Sequence, residues 1–151
     1  MPALAASPAF HPRILCSAGG LTAEHGGRKW GFDAATSDEK EVLGDAAVQA
    51  VFVLTRHNLH AGQAVAALSA GKHVFVEKPH GIDPRSVKLM QQACDLAKEK
   101  KLCMVSGLQS RFHTGYIETV KRIQDGAIGD IVSRGELPAG PLRGDRAQAG
   151  I

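Results

Sequence analysis

The chain has 151 residues, 18 of them basic and 15 acidic for a net charge of +3, enough for one ordinary domain with its own core and too few for two large ones. The basic excess forms no Lys/Arg run, and a single Trp and a single Tyr leave little for base stacking, which excludes nucleic acid as a partner. Cys16, Cys94 and Cys103 are odd in number and widely spaced, so they read as reduced packing thiols rather than a disulfide framework or zinc site.

No apolar stretch approaches the roughly 20 residues that cross a bilayer. The first twelve residues carry no Lys or Arg, so the basic start of a secretory signal is missing. The expectation is a soluble, cytoplasmic protein.

In chain order, residues 1–12 hold three prolines and predict no strand. Arg13 to Ser17 is a short strand candidate. A helix around Thr22 to Trp30 is weakened by Gly26 and Gly27, and a short one opens at Asp38, with Glu41 at capping-box spacing. Ala50 to Thr55, reading Ala-Val-Phe-Val-Leu-Thr, is a strong strand, followed by a helix from Leu59 to Ala70 that Gly71 ends. His73 to Val76 is the next strand. Asp83 as N-cap and Pro84 at the first helical position open a helix to Lys101, whose Val87, Met90, Cys94 and Ala97 make one apolar face. Leu102 to Ser106 is the fourth strand. A last helix, about Thr114 to Asp125, turns Tyr116, Ile117, Val120 and Ile123 inward and stops at Gly126. Beyond Glu136 neither period is present and few large apolar residues remain, which predicts a disordered tail. Strands alternating with helices argue for βαβ units and a parallel sheet.

The run Val74-Phe75-Val76-Glu77-Lys78-Pro79 brings charge to the rim of that core. In open α/β sheets ligands bind beyond the carboxyl ends of the strands, so a carboxylate and an ammonium there can face a ligand. By itself the run fits a surface ion pair equally well. His57 and His60 have no third ligand of matching type nearby, so no metal is expected. Ser106-Gly107 lacks the Gly-x-Ser-x-Gly elbow of a hydrolase.

Four segments in fixed order extend the reading: 50–60 (Ala-Val-Phe-Val-Leu-Thr-Arg-His-Asn-Leu-His), 66–79 (Ala-Ala-Leu-Ser-Ala-Gly-Lys-His-Val-Phe-Val-Glu-Lys-Pro), 106–112 (Ser-Gly-Leu-Gln-Ser-Arg-Phe) and 125–131 (Asp-Gly-Ala-Ile-Gly-Asp-Ile). Together they resemble the Gfo/Idh/MocA (glucose-fructose oxidoreductase, inositol dehydrogenase and MocA) family of nicotinamide-dependent oxidoreductases, over about residues 13–134. The resemblance implies an α/β fold: an incomplete Rossmann-like parallel sheet with flanking helices, lacking the first strand and most of the second α/β domain. Residues 1–12 would be an irregular segment, 13–130 a partial dinucleotide-binding domain, and 131–151 the start of the second domain and a disordered tail.

It further implies NAD or NADP as cofactor and a sugar or polyol as small-molecule substrate, with hydride exchanged at a secondary alcohol. Lys78 would be catalytic, holding both cofactor and the reacting hydroxyl, because a cation in a water-poor site stabilises developing alkoxide character. Glu77 would place the cofactor and orient Lys78. Thr55 and His60 would line its pyrophosphate and nicotinamide-ribose side, Gln109 would approach the cofactor, and Arg111 the substrate. Ser17 stands where many members have a ribose-binding acid, which removes repulsion against a 2′-phosphate and favours NADP, with Arg28 as a possible source of charge.

The chain departs from the family pattern at Arg56-His57, where proline and asparagine are usual, and contains no Gly-x-Gly-x-x-Gly after a strand. The alternative reading is a non-catalytic binding or interaction module built from a Rossmann remnant.

Overall fold

The computed structural model describes residues 4 and 6–133. It divides into two compact units, one up to Leu108 and one from Gln109. The first unit runs β1 (Ile14–Cys16), α1 (Gly20–Trp30), β2 (Ala34–Thr36), α2 (Glu39–Gly44), β3 (Ala50–Val53), a 3₁₀ turn (His57–Leu59), α3 (His60–Ser69), β4 (His73–Glu77), α4 (Pro84–Glu99) and β5 (Met104–Gly107). The second holds a 3₁₀ turn (Gln109–Phe112) and α5 (Thr114–Gln124).

All strand pairing is parallel, as the alternation of strands and helices predicts, but among the described residues it forms two sheets rather than one. Strands β1 and β2 pair with Cys16 opposite Thr36, while β3, β4 and β5 form a sheet in that order, with Phe52 opposite Phe75 and Phe75 opposite Val105. Strand β2 is an addition to the sequence reading: Ala34-Ala35-Thr36 is too short and too weakly apolar to stand out. The glycines of α1 weaken the helix locally but allow close packing, since a Cβ on Gly26 would lie 2.7 Å from Leu15 Cδ2 of β1.

Helices α3 and α4 cover one face of the three-stranded sheet. Their contact is made by Ala61, Ala64, Ala67, Leu68, Met90, Ala93 and Ala97 against Val53, Val74 and Val76, all buried. Small alanines let the helices approach closely, so the core depends on a few larger side chains such as Leu68. On the opposite face Phe52 stacks on Phe75 at 5.4 Å, and Phe10 meets Phe52 edge-on at 5.6 Å.

Three packing expectations are corrected. The buried stripe of α4 is Met90, Ala93 and Ala97, and Val87 is 58% exposed; the helix is rotated relative to the predicted face because alanines seat against α3. Tyr116, Ile117 and Val120 of α5 are exposed, since the other described element of their unit is one 3₁₀ turn. Cys16, at the end of β1, and Cys103, just before β5, are exposed, and Cys94 of α4 is half-buried. The predicted disordered tail falls mostly on residues 134–151, outside the described residues.

The cap of α4 forms as its residues dictate. Asp83 Oδ1 accepts from the Ser86 N–H at 2.6 Å, and Ser86 Oγ accepts from the Asp83 N–H at 3.1 Å, a reciprocal box with Pro84 in the first turn. Asp38 likewise caps α2, through the Lys40 N–H. The bond from the Ser86 main chain, followed by that from its hydroxyl, holds the Asp83 carboxyl below its ordinary range. A depressed folded value makes this stabilisation complete above the ordinary aspartate range, near pH 4, and removes it as the pH falls through the folded value. Thermal unfolding is therefore expected to show wild type more stable than Asp83→Ala at pH 7, with the gap narrowing in strong acid. An unchanged gap would show that the charge of the cap contributes nothing.

Candidate functional site

Because β3, β4 and β5 are parallel neighbours, their carboxyl ends share one edge, where Thr55, Glu77-Lys78-Pro79 and Ser106-Gly107 emerge. Val53 of β3 and Val74 and Val76 of β4 hold those two strands in the core up to that edge.

His60, the first residue of α3, ties two of these ends together. It is only 1% exposed, with Nδ1 2.8 Å from the Pro79 carbonyl and Nε2 3.0 Å from the Thr55 carbonyl. Carbonyls only accept, so a doubly protonated ring satisfies both and a neutral ring one. Expected from the resemblance to line the cofactor's pyrophosphate side, His60 has both nitrogens turned to main chain and braces the site from behind. Its neighbour His57 meets it edge-on at 5.7 Å between ring centres, and among the described residues no three His, Cys, Asp or Glu gather as a metal would require.

Thr55 is exposed, and its hydroxyl donates to Gln63 Oε1, whose amide reaches Glu39 at 3.5 Å. Glu77 is half-buried, and its Oε2 accepts from the main-chain N–H of Lys78 at 2.7 Å. Lys78 is exposed, and among the described residues its ammonium has neither a hydrogen bond nor an ion pair. The sequence-level alternative of a Glu77–Lys78 ion pair is thus not what forms. The carboxylate is used on the backbone, and the ammonium is left to a ligand or to water. The Lys78–Pro79 peptide is cis.

Sequence reasoning missed the pair behind this turn. His80 Nε2 lies 2.7 Å from Ser106 Oγ, joining the turn after β4 to β5. A groove of about 350 Å³ lies alongside, lined by His80, Gly81, Val87, Met90, Gln91 and Cys94. The only sequence signal was the position of His80 directly after Pro79, since Ser106 is 26 residues away.

Ser17 lies on the other sheet, at the carboxyl end of β1, where its N–H donates to the Thr36 carbonyl at 3.1 Å. Beyond Thr36 the chain reads Ser37-Asp38-Glu39-Lys40-Glu41. The Cys16 thiol is pushed up first by desolvation and then by Glu39, Asp38 and Glu41. The carboxylates of Glu39, Asp38 and Glu41 thus act on Cys16 at this strand end, although the strand itself carries no acid. Gln109 and Arg111 are exposed residues on the 3₁₀ turn of the second unit. The first unit thus brings together Thr55, His60, Glu77 and Lys78, with Ser17 on the neighbouring sheet.

Comparison with known proteins gives this arrangement a context. The chain is 31% identical over 121 residues to levoglucosan dehydrogenase of Pseudarthrobacter phenanthrenivorans, covering 80% of this chain and 30% of that protein. It is 32% identical over 107 residues to scyllo-inositol 2-dehydrogenase (NAD(+)) of Bacillus subtilis, covering 71% and 30%. The chain thus spans about a third of the length of these curated relatives. Among solved structures, a 3-ketoreductase from Actinomadura kijaniata in complex with TDP-benzene and NADP superposes with a TM-score of 0.77 at 27% identity, covering 86% of this chain and 40% of that one. Levoglucosan dehydrogenase in complex with NADH and levoglucosan superposes with a TM-score of 0.70 at 31% identity, covering 80% and 32%. The GFO_IDH_MocA model, described as an oxidoreductase family with an NAD-binding Rossmann fold, matches residues 1–107. The α/β unit of parallel strands and flanking helices is therefore a partial Rossmann fold, and the chain belongs to the Gfo/Idh/MocA oxidoreductase family.

Proposed function

We propose that residues 13–130 form part of the dinucleotide-binding domain of an NAD(P)-dependent oxidoreductase that exchanges hydride with a secondary alcohol of a sugar or polyol. The observation that carries this reading is the ammonium of Lys78, without a polar partner among the described residues, at the shared carboxyl edge of three parallel strands, beside a Glu77 carboxylate turned onto the Lys78 main-chain N–H. A dinucleotide is an anion with hydroxyl-bearing riboses, and this edge offers it a cation, the Thr55 hydroxyl and the Glu77 carboxylate. The bound nicotinamide would supply the hydride chemistry. Lys78 would hold and polarise the alcohol oxygen, lowering the cost of negative charge on it. Glu77 would fix the main chain of Lys78, His60 would hold the turn from beneath, and Ser17 would face the adenosine ribose. Gln109 and Arg111 would serve cofactor and substrate from the segment after β5.

The carboxylates of Asp38 and Glu39, which act on Cys16 next to Ser17, favour NAD over NADP, because they would repel a 2′-phosphate there. This reverses the preference that the missing acid on the strand alone suggests. A second reading, a binding module without catalysis, draws on the lack of a Gly-x-Gly-x-x-Gly turn after any described strand.

Amide spectra test the location. Adding NADH is expected to shift the signals of Thr55, Glu77, Lys78 and Ser17 while leaving Ala50 and His73, at the opposite strand ends, unmoved. Shifts confined to the opposite ends would place the ligand elsewhere and overturn the assignment.

A further inference from the structure

Gly107 closes β5 directly opposite Glu77 of β4 and is buried. Its φ is not among the positive values of the chain, so the backbone there is open to any residue and a glycine is not needed for conformation. The need is steric. A Cβ at Gly107 would overlap Glu77 Oε2, come within 2.8 Å of Glu77 Cδ and lie 3.1 Å from Glu77 Cα. The carboxylate occupies the place where every other residue carries its side chain, and from that place it accepts the Lys78 N–H.

We infer that Gly107 is a positioning residue for the Lys78 site: its bare backbone is the seat that turns the Glu77 carboxylate onto the Lys78 main chain and away from the Lys78 ammonium. A side chain at 107 displaces Glu77 from this seat. The Lys78 N–H then loses its acceptor, and the freed carboxylate is one residue from the one cation it would neutralise. Pairing with Glu77 would offset the positive field of Lys78 that an anionic ligand requires. The catalytic meaning rests on the proposed function, whereas the steric coupling of 107 to 77 does not.

The test is a cycle of wild type, Gly107→Ala, Glu77→Ala and the double variant, read by thermal unfolding and by NADH titration. Alanine for glycine in a strand ordinarily stabilises, by restricting the unfolded chain. The expected signature is therefore a change of sign. Gly107→Ala lowers the unfolding midpoint by about 4 °C when Glu77 is present, and leaves it level or raises it when Glu77 is alanine, as expected for residues in direct contact. NADH affinity is expected to fall about tenfold in Gly107→Ala, with the double variant within about twofold of Glu77→Ala, since independent losses would multiply. If Gly107→Ala alone fails to fold, recovery of folding in the double variant is the same result in stronger form.

Equal destabilisation in both backgrounds would overturn the inference. So would a change of sign in stability accompanied by wild-type NADH affinity in Gly107→Ala, which would leave Gly107 a purely structural role. Wild type failing to bind NADH at all would end the proposed function and with it the positioning role, while the unfolding midpoints would still decide the steric coupling.

Discussion

Replacing Leu68 by alanine is expected to lower the free energy of unfolding by about 3 kcal/mol. Leu68 is fully buried, with Ala64 and Ala67 of its own helix and Ala93 and Ala97 of α4 in the same cluster. Alanines have no rotamers with which to fill a vacated volume, so the cavity would persist and its cost would add to the lost burial. Against the 5–15 kcal/mol that ordinarily separates folded from unfolded domains, this is a large fraction. Urea unfolding measures it directly. A loss below about 1 kcal/mol would mean that the helices close over the gap, contrary to the packing described.

The second large effect falls on ligand binding. Lys78→Glu is expected to weaken NADH binding by tenfold or more, equivalent to at least about 1.4 kcal/mol, while shifting the unfolding midpoint by no more than about 2 °C, as surface substitutions usually do. The two halves of the expectation come from the same observation. The Lys78 side chain is exposed and makes no polar contact among the described residues, so little in the folded state depends on it. An anionic dinucleotide arriving beside Glu77, by contrast, would meet two carboxylates where it had met one and an ammonium. Unchanged affinity would remove Lys78 from the site, and a midpoint falling by many degrees would give it a structural role instead.

Much of the edge that carries these residues was legible in the sequence, because strong local signals agree there. Val74-Phe75-Val76 and Ala50 to Val53 are β-branched or aromatic runs bounded by polar residues, and Asp83-Pro84 marks a helix start by two independent preferences. Features that depend on distant partners were not legible. Strand β2 consists of Ala34, Ala35 and Thr36 and exists because β1 lies beside it. The buried face of α4 differs from the predicted one because alanines, weak in any hydrophobic pattern, are what seats against α3. The packing expectation for α5 failed for the converse reason: its apolar stripe is clear in sequence, but periodicity does not say whether a surface exists to receive it.

Within the site, Lys78 and Glu77 stood out by motif, yet their relation did not. That the carboxylate turns to the backbone follows from Gly107, 30 residues later and identifiable only once β4 and β5 are in register. The two contacts of His60 likewise join Thr55 and Pro79, which are 24 positions apart in sequence. The charge around Ser17 is the remaining case. The strand end itself has no acid, and the carboxylates arrive from α2 through the β1–β2 pairing.

Isothermal titration of the chain with NADH and with NADPH decides whether the Lys78 edge is a cofactor site. A cofactor site there predicts saturable binding of one NADH per chain, weaker binding of NADPH on account of Asp38 and Glu39, and loss of the NADH signal in Lys78→Glu. Absence of heat from either cofactor at millimolar concentration, or binding that Lys78→Glu leaves intact, would contradict it.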